Sequence, residues 1–248
     1  MAPGSLGNIA RLQVAVASVA LLLCGGAHAR EGELKQVEER KLSLGIEGGP
    51  GLAESRLGPL NRLLAADGFA TVSSTRMIGA LDAVVEVWRL RFALQLQGGR
   101  ATARHQTSGA EFATGLTRGA LTAGLQVLRY RNATFWAATG IGGGTLGFDG
   151  RTAGFTAFES QLQSWERGRV NFEHAFVPVE LGSDYLVPLG AFSADETYAL
   201  LFGVRVGYAF QTGGSWSTEV DGESRDLNGP KLDLSGPHYR LVLGITLF

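Results

Sequence analysis

The sequence predicts an all-β fold, an eight-stranded antiparallel up-and-down barrel that crosses a membrane with its strands, and three observations point to it. The first is the segment Tyr198 to Phe210. Tyr198, Leu200, Phe202, Val204, Val206, Tyr208 and Phe210 fall on one face, and Ala199, Leu201, Gly203, Arg205, Gly207 and Ala209 on the other. Period-two patterning of this kind marks a strand with one face in hydrocarbon and the other against small or charged neighbours. The run is longer than the roughly five or six residues of an ordinary strand and suffices for the roughly nine to eleven that cross a bilayer when tilted.

The second observation is the N-terminus. Met1 to Ala29 carries one charge, Arg11, then an apolar stretch from Leu12 to Cys24 too short to span a bilayer as a helix, and closes on Ala27-His28-Ala29. This predicts a cleaved export signal over 1–29, a short charged lead over 30–40 and a barrel over 41–248. The bulky Leu23 before Cys24 argues against a lipoprotein box. Without the signal the chain has no cysteine, so it must rely on a core or a closed sheet rather than on disulfides. Loss of Arg11 takes Lys+Arg from 22 to 21 against 23 Asp+Glu, a formal charge of −2, which gives no reason to expect nucleic acid.

The third observation is the rhythm of the connections, which emerges when the strands are taken in order. Leu42, Leu44 and Ile46 alternate with Ser43, Gly45 and Glu47 to about Gly49. A second strand, about Arg76 to Val87, sets Met77, Leu81, Ala83, Val85 and Val87 against Arg76, Asp82 and Glu86. A third begins almost without a loop, with Leu90, Phe92, Leu94 and Leu96 outward and Arg89, Arg91, Gln95 and Gln97 inward. The fourth, about Thr114 to Leu128, sets Leu121, Ala123, Leu125 and Val127 against Arg118, Thr122 and Gln126, and Phe135 to Gly147 forms a glycine-rich fifth. The sixth, about Val170 to Val187, turns Val177, Val179, Leu181, Tyr185 and Val187 outward and His174, Glu180 and Asp184 inward. Tyr198 to Phe210 is the seventh, and Tyr239 to Phe248 the eighth.

Long connections then follow the odd strands (Pro50 to Thr75, Arg104 to Ala113, Phe148 to Arg169, Gln211 to His238). Short ones follow the even strands (Val87 to Arg89, Arg129 to Asn132, Pro188 to Thr197). Sorting by parity is the outer-membrane pattern, short turns on the periplasmic side and long loops outside. A soluble barrel or sandwich has no reason to show it, although 36 glycines and 18% charged residues would suit either.

Taken together, Lys41 to Phe248 resembles the small eight-stranded bacterial outer-membrane barrels of the OmpA, OmpX and OmpW type. The resemblance includes the terminal Phe248, since such barrels commonly end in an aromatic residue read by the assembly machinery. It implies a bacterial outer-membrane location, with outer-membrane lipids and the barrel assembly machinery as partners. Two features depart from the pattern. The outward set Tyr239, Leu241, Leu243, Ile245 and Leu247 is one residue out of phase with Phe248, so either a bulge restores the phase or the signal is weaker. Pro178 sits mid-strand, where a bulge or bend is expected.

An eight-stranded barrel is only wide enough for its side chains to fill it. Inward Arg76, Asp82, Glu86, Arg89, Arg91, Glu180, Asp184, Arg205 and Arg240 are therefore expected to meet in the lumen as mutually satisfied ion pairs, or to line a narrow ion path or small polar site. The first long loop has helical character: Pro59 opens it, Leu60, Leu63 and Leu64 share a face, and Gly68 closes it. Such a short helix needs a support, either the barrel mouth or the outer leaflet.

Catalytic signals are absent from the sequence. The resemblance includes lipid A acyltransferases and deacylases, but no His-x-Ser pair or Gly-x-Ser-x-Gly elbow occurs, and His105 and His238 fall at loop edges with His174 near a strand end. Gly140, Gly142, Gly143 and Gly144 lack the Lys-Ser/Thr ending of a phosphate loop. Asp221, Glu223, Asp226 and Asp233 form an acidic loop more in keeping with solvation than with calcium. The reading is a non-enzymatic structural or interaction barrel with no cofactor or metal. The alternatives are a lipid-modifying enzyme, a small transport barrel for hydrophobic solutes, or a soluble periplasmic or secreted barrel.

Overall fold

Alternation draws the chain into long strands that pair with their neighbours in sequence. They are β1 (Leu42–Glu54), β2 (Thr75–Val87), β3 (Leu90–Arg104), β4 (Glu111–Tyr130), β5 (Ala133–Gly150), β6 (Gly168–Pro188), β7 (Tyr198–Val220), β8 (Glu223–Leu227) and β9 (Gly236–Leu247), with one helix, α1 (Gly58–Ala66), between β1 and β2. The computed structural model describes residues 42–66, 68, 70–104, 111–150, 168–189, 198–220 and 223–248. The expected signal over 1–29, the lead over 30–40, His105 and Asp221 lie outside the described residues.

The sheet closes on itself. β1 to β7 pair in sequence, and β9 joins β7, from Tyr198↔Leu247 to Ala209↔Gly236, to β1, from Leu44↔Leu247 to Ala53↔His238. The ring therefore has eight antiparallel strands, as expected, and closure removes the edges that lipid cannot hydrogen-bond. Exposed large apolar side chains recur on every strand of the ring, among them Ile46, Leu81, Leu94, Leu121, Ile141, Leu181, Phe202 and Leu243. A continuous belt of this kind is a liability in water and a necessity in hydrocarbon. At the short-turn end Trp88 and Tyr130 are exposed, where interfacial aromatics sit.

Several boundaries differ from those expected. β1 continues through Pro50 to Glu54, β7 runs on from Gln211 to Val220, and β8 pairs with its far end from Trp216↔Leu227 to Val220↔Glu223. Alternation fades there because an outward face above the lipid has no need of apolar residues. Pro178 interrupts the β5–β6 ladder, whose register resumes unshifted at Gly142↔Phe176, while the bulge itself lies nearby against β7, between Ala175 and Phe176. The final strand keeps one register throughout, so no bulge brings Phe248 into phase. The two tight hairpins place Trp88 (φ 56) and Arg131 (φ 52) in the left-handed region, at a cost of roughly 1–2 kcal/mol each.

α1 rests on the barrel mouth rather than on the leaflet. Leu60 and Leu64 join Leu57, Val72, Leu116, Leu146, Phe172 and Trp216 in a buried apolar cluster, while the side chain of Leu63 lies outside the described set. Asn61 clips the helix to the returning chain, donating from Nδ2 to the Val72 carbonyl at 3.0 Å and accepting from the Val72 N–H at 2.8 Å.

Candidate functional site: a charged lumen under an apolar cap

The ring's inward parity collects polar side chains into three tiers. Nearest the short turns, Glu47 of β1 accepts from Arg91 through Oε1 and from Arg205 through Oε2, the latter at 2.8 Å. Arg205, fully buried, also donates to Asp184, and Arg91 reaches Glu86 at 2.7 Å and lies 3.6 Å from Asp184. Trp136 lies against both guanidinium groups, at 4.5 Å from Arg91 and 4.7 Å from Arg205, and its indole N–H donates to Asp184 at 2.8 Å. A cavity of about 20 Å³ opens beside this tier, lined by Ser43, Glu47, Glu86, Arg91, Thr134 and Asp184 among others. That is room for about one water molecule.

In the middle tier Arg240 Nη1 donates to both oxygens of Asp82, at 3.0 and 2.9 Å, and Nη2 donates to Glu180 at 3.0 Å. Glu180 is further bonded to His238 Nε2 and to Gln95 Nε2, each at 2.7 Å. Glu180, Asp82 and Arg240 are almost completely buried, so each charge depends on its partners for the solvation that water no longer supplies.

The outer tier has a different character. Arg118 donates from Nη2 to the Leu234 carbonyl at 2.7 Å and from Nε to His174 Nε2 at 3.2 Å. His174 thereby accepts at Nε2 and carries its proton on Nδ1. Gly144 makes this possible: a Cβ there would stand 2.8 Å from both Arg118 Cγ and His174 Cε1. The same device recurs at Gly182, where a Cβ would lie 2.2 Å from the Trp136 ring, and at Gly207, where it would lie 2.5 Å from the His238 ring. Above this tier the apolar cluster closes the mouth, with Phe148 and Phe172 rings 5.1 and 5.2 Å from Trp216.

Of the inward residues expected from the sequence, Asp82, Glu180 and Arg240 meet in one tier and Glu86, Arg91, Asp184 and Arg205 in another. Asp82 thus belongs to a different tier from Glu86 and Arg91. Arg76 is buried and inward but contacts neither group. Arg89 is a correction: it is exposed in the two-residue turn with Trp88, because β2 ends at Val87 and β3 begins at Leu90. His238, expected at a loop edge, is buried in the middle tier, because β9 starts three residues before Tyr239.

Glu47, Arg118, Gln95 and Trp136 complete the lumen. Glu47 alternates with Leu44 and Ile46, and Arg118 with Leu121 and Leu125, so parity alone marks both as inward. Both described histidines commit Nε2 to structural partners, Arg118 and Glu180. Asp233 of the acidic loop pairs with Arg56 at 3.5 Å and accepts from the Ser235 N–H at 2.9 Å. Among the described residues no group of three or more His, Cys, Asp or Glu side chains is arranged to hold a metal ion.

No family model and no curated protein matches the sequence. Among solved structures, the chain is similar to Neisserial surface protein A at 11% identity, over 84% of this chain and 97% of that one, with a TM-score of 0.44. It is similar to the outer membrane protein OprG from Pseudomonas aeruginosa at 16% identity, over 83% and 95%, with a TM-score of 0.44. It is also similar to the outer membrane protease OmpT from Escherichia coli at 7% identity, over 85% and 97%, with a TM-score of 0.36. On its closed ring of eight strands, apolar belt and charged interior, the chain is a membrane-spanning β-barrel of the kind found in bacterial outer membranes.

Proposed function

We propose that the protein is a closed, non-enzymatic barrel of the bacterial outer membrane that serves a structural or interaction role and presents its outer connections to the environment. The observation that supports this reading is the filling of the lumen. Two tiers of interlocked ion pairs occupy it, the cavity beside the lower one has room for about one water, and an apolar cap lies over the outer mouth. Side chains committed to one another in this way are poorly placed to conduct ions or to activate a nucleophile. Outer-membrane lipids around the belt and the barrel assembly machinery are the partners proposed with it.

The test is reconstitution of the full chain into planar bilayers, with parallel assays for release of acyl chains from lipid A and for peptide cleavage. Silence in all three is the expected result. A sustained single-channel conductance, or a hydrolytic activity lost in His238→Ala, would refute the proposal.

A further inference from the structure

The inward arginines of the lumen differ in how they are answered. Arg91, Arg205 and Arg240 each meet carboxylates, and Arg118 meets a carbonyl and an imidazole. Arg76 is only 3% exposed, yet its Nε, Nη1 and Nη2 have no hydrogen-bond partner. A buried guanidinium with five N–H donors and no acceptor is strongly disfavoured unless something supplies the missing charge. Arg118, likewise buried and inward on β4, brings a second positive charge to the outer lumen rather than an acceptor.

Among the described residues the outer lumen therefore concentrates positive charge with no carboxylate bonded to it, and the donors of Arg76 have no acceptor. The lower two tiers cannot make up the deficit by contact, because their carboxylates are already bonded to Arg91, Arg205, Arg240, His238 and Gln95. We propose that Arg76 and Arg118 bind a tetrahedral oxyanion, inorganic phosphate or sulfate, in the outer lumen beneath the α1 cap. Guanidinium forks match the paired oxygens of such an ion, and an acceptor-only ligand is what the unanswered donors of Arg76 require. Enclosure by the ring and the apolar cap selects a free ion over a phosphate carried on a lipid. This site goes beyond the structural role proposed above, because a plug of mutual ion pairs has no use for an arginine without a partner.

The test uses the full-chain barrel refolded in detergent and exchanged into chloride at constant ionic strength. Phosphate and then sulfate are titrated while the unfolding temperature is followed by tryptophan fluorescence, and uptake of radiolabelled phosphate is measured by equilibrium dialysis. The wild type should take up phosphate saturably and shift its Tm upward as the site fills. Arg76→Met should lose both responses while keeping, in chloride alone, a Tm no lower than that of the wild type, because an unpaired buried charge has gone. Arg76→Gln should bind more weakly than the wild type and serves if the methionine variant does not fold. Absence of saturable uptake by the wild type overturns the proposal and means that the excess acid of the lower tiers balances Arg76 at long range. Unchanged uptake by either folded Arg76 variant, or a Tm response to micelles of phosphate-bearing lipid and not to free phosphate, overturns it equally.

Discussion

Replacing Arg205 by Met tests whether the lumen is held by paired charges. Arg205 has no solvent exposure and serves two carboxylates, Glu47 and Asp184, while Arg91 serves those two and Glu86. The tier holds three acids and two arginines, so removing Arg205 doubles its excess negative charge and leaves one oxygen each of Glu47 and Asp184 without its cation. Breaking a buried pair from one side costs about 3–5 kcal/mol. Glu86→Gln is the contrasting change, because the Glu86 side chain is 34% exposed at the short-turn end and its loss lowers the acid excess, so the expected cost is about 1 kcal/mol or less. The double variant Arg205→Met with Glu47→Gln should recover part of the loss, since the two residues share a bond and their effects cannot add. Urea unfolding in lipid vesicles provides the assay, with Trp136 against both guanidinium groups as reporter. If Arg205→Met and Glu86→Gln prove equally mild, the lumen charges are hydrated rather than paired and the plugged interior is wrong.

Three further outcomes follow from other parts of the fold. Val204→Arg, on the lipid face of β7, should cost about 2–4 kcal/mol and impair insertion into vesicles, although Arg205 next to it is native; a neutral result would place that face away from lipid. Gly182→Ala pushes a methyl against Trp136, which Arg91, Arg205 and Asp184 hold in place, and should cost about 1–3 kcal/mol in urea unfolding. Gly79→Ala, with nothing within 4 Å of its Cβ, is the silent control. Asn61→Ala strands the buried backbone of Val72 and should cost about 1–3 kcal/mol, and protease nicking within residues 55–74 should rise, while unchanged nicking would mean that the clip does not hold the cap.

The transmembrane part of the barrel was legible because lipid imposes a rule on alternate residues. Leu81, Leu94, Leu121 and Leu243 had to face outward, which sent Asp82, Gln95, Thr122 and Val242 inward. Where the strands leave the lipid the rule lapses, so the outer parts of β1 and β7, and the whole of β8, carry no period-two signal. Loss of the strand end hid His238, and a register one residue too long drew Arg89 into the lumen from its turn. Parity also says which way a side chain points but not which tier it reaches. Asp82 and Glu86 share a strand face yet join different networks, and Arg76, on that same face, joins neither. The support for α1 is set by residues as distant as Trp216 and Leu234, which no local pattern brings to Leu60.

The span of the ion pairs bears on how the barrel assembles. Glu47 and Arg205 stand 158 residues apart, as do Asp82 and Arg240, so each pair forms only when the first strands meet the last. Until β1 and β9 zip together, Asp82 and Arg240 lack each other, and Glu47 and Arg205 are left with Arg91 and Asp184 as their partial partners. An arginine or aspartate at mid-bilayer costs about 2.5–3.5 kcal/mol even on the mildest insertion scale. A half-inserted open sheet would carry several such charges at once, whereas the closed ring carries none unpaired in its two lower tiers. Insertion and closure are therefore coupled into one cooperative event, slow because its decisive contacts are non-local. A slip of one residue at the seam would turn Glu47 toward lipid and Ile46 toward Arg205, so the charges that fill the finished lumen also reject a misregistered one.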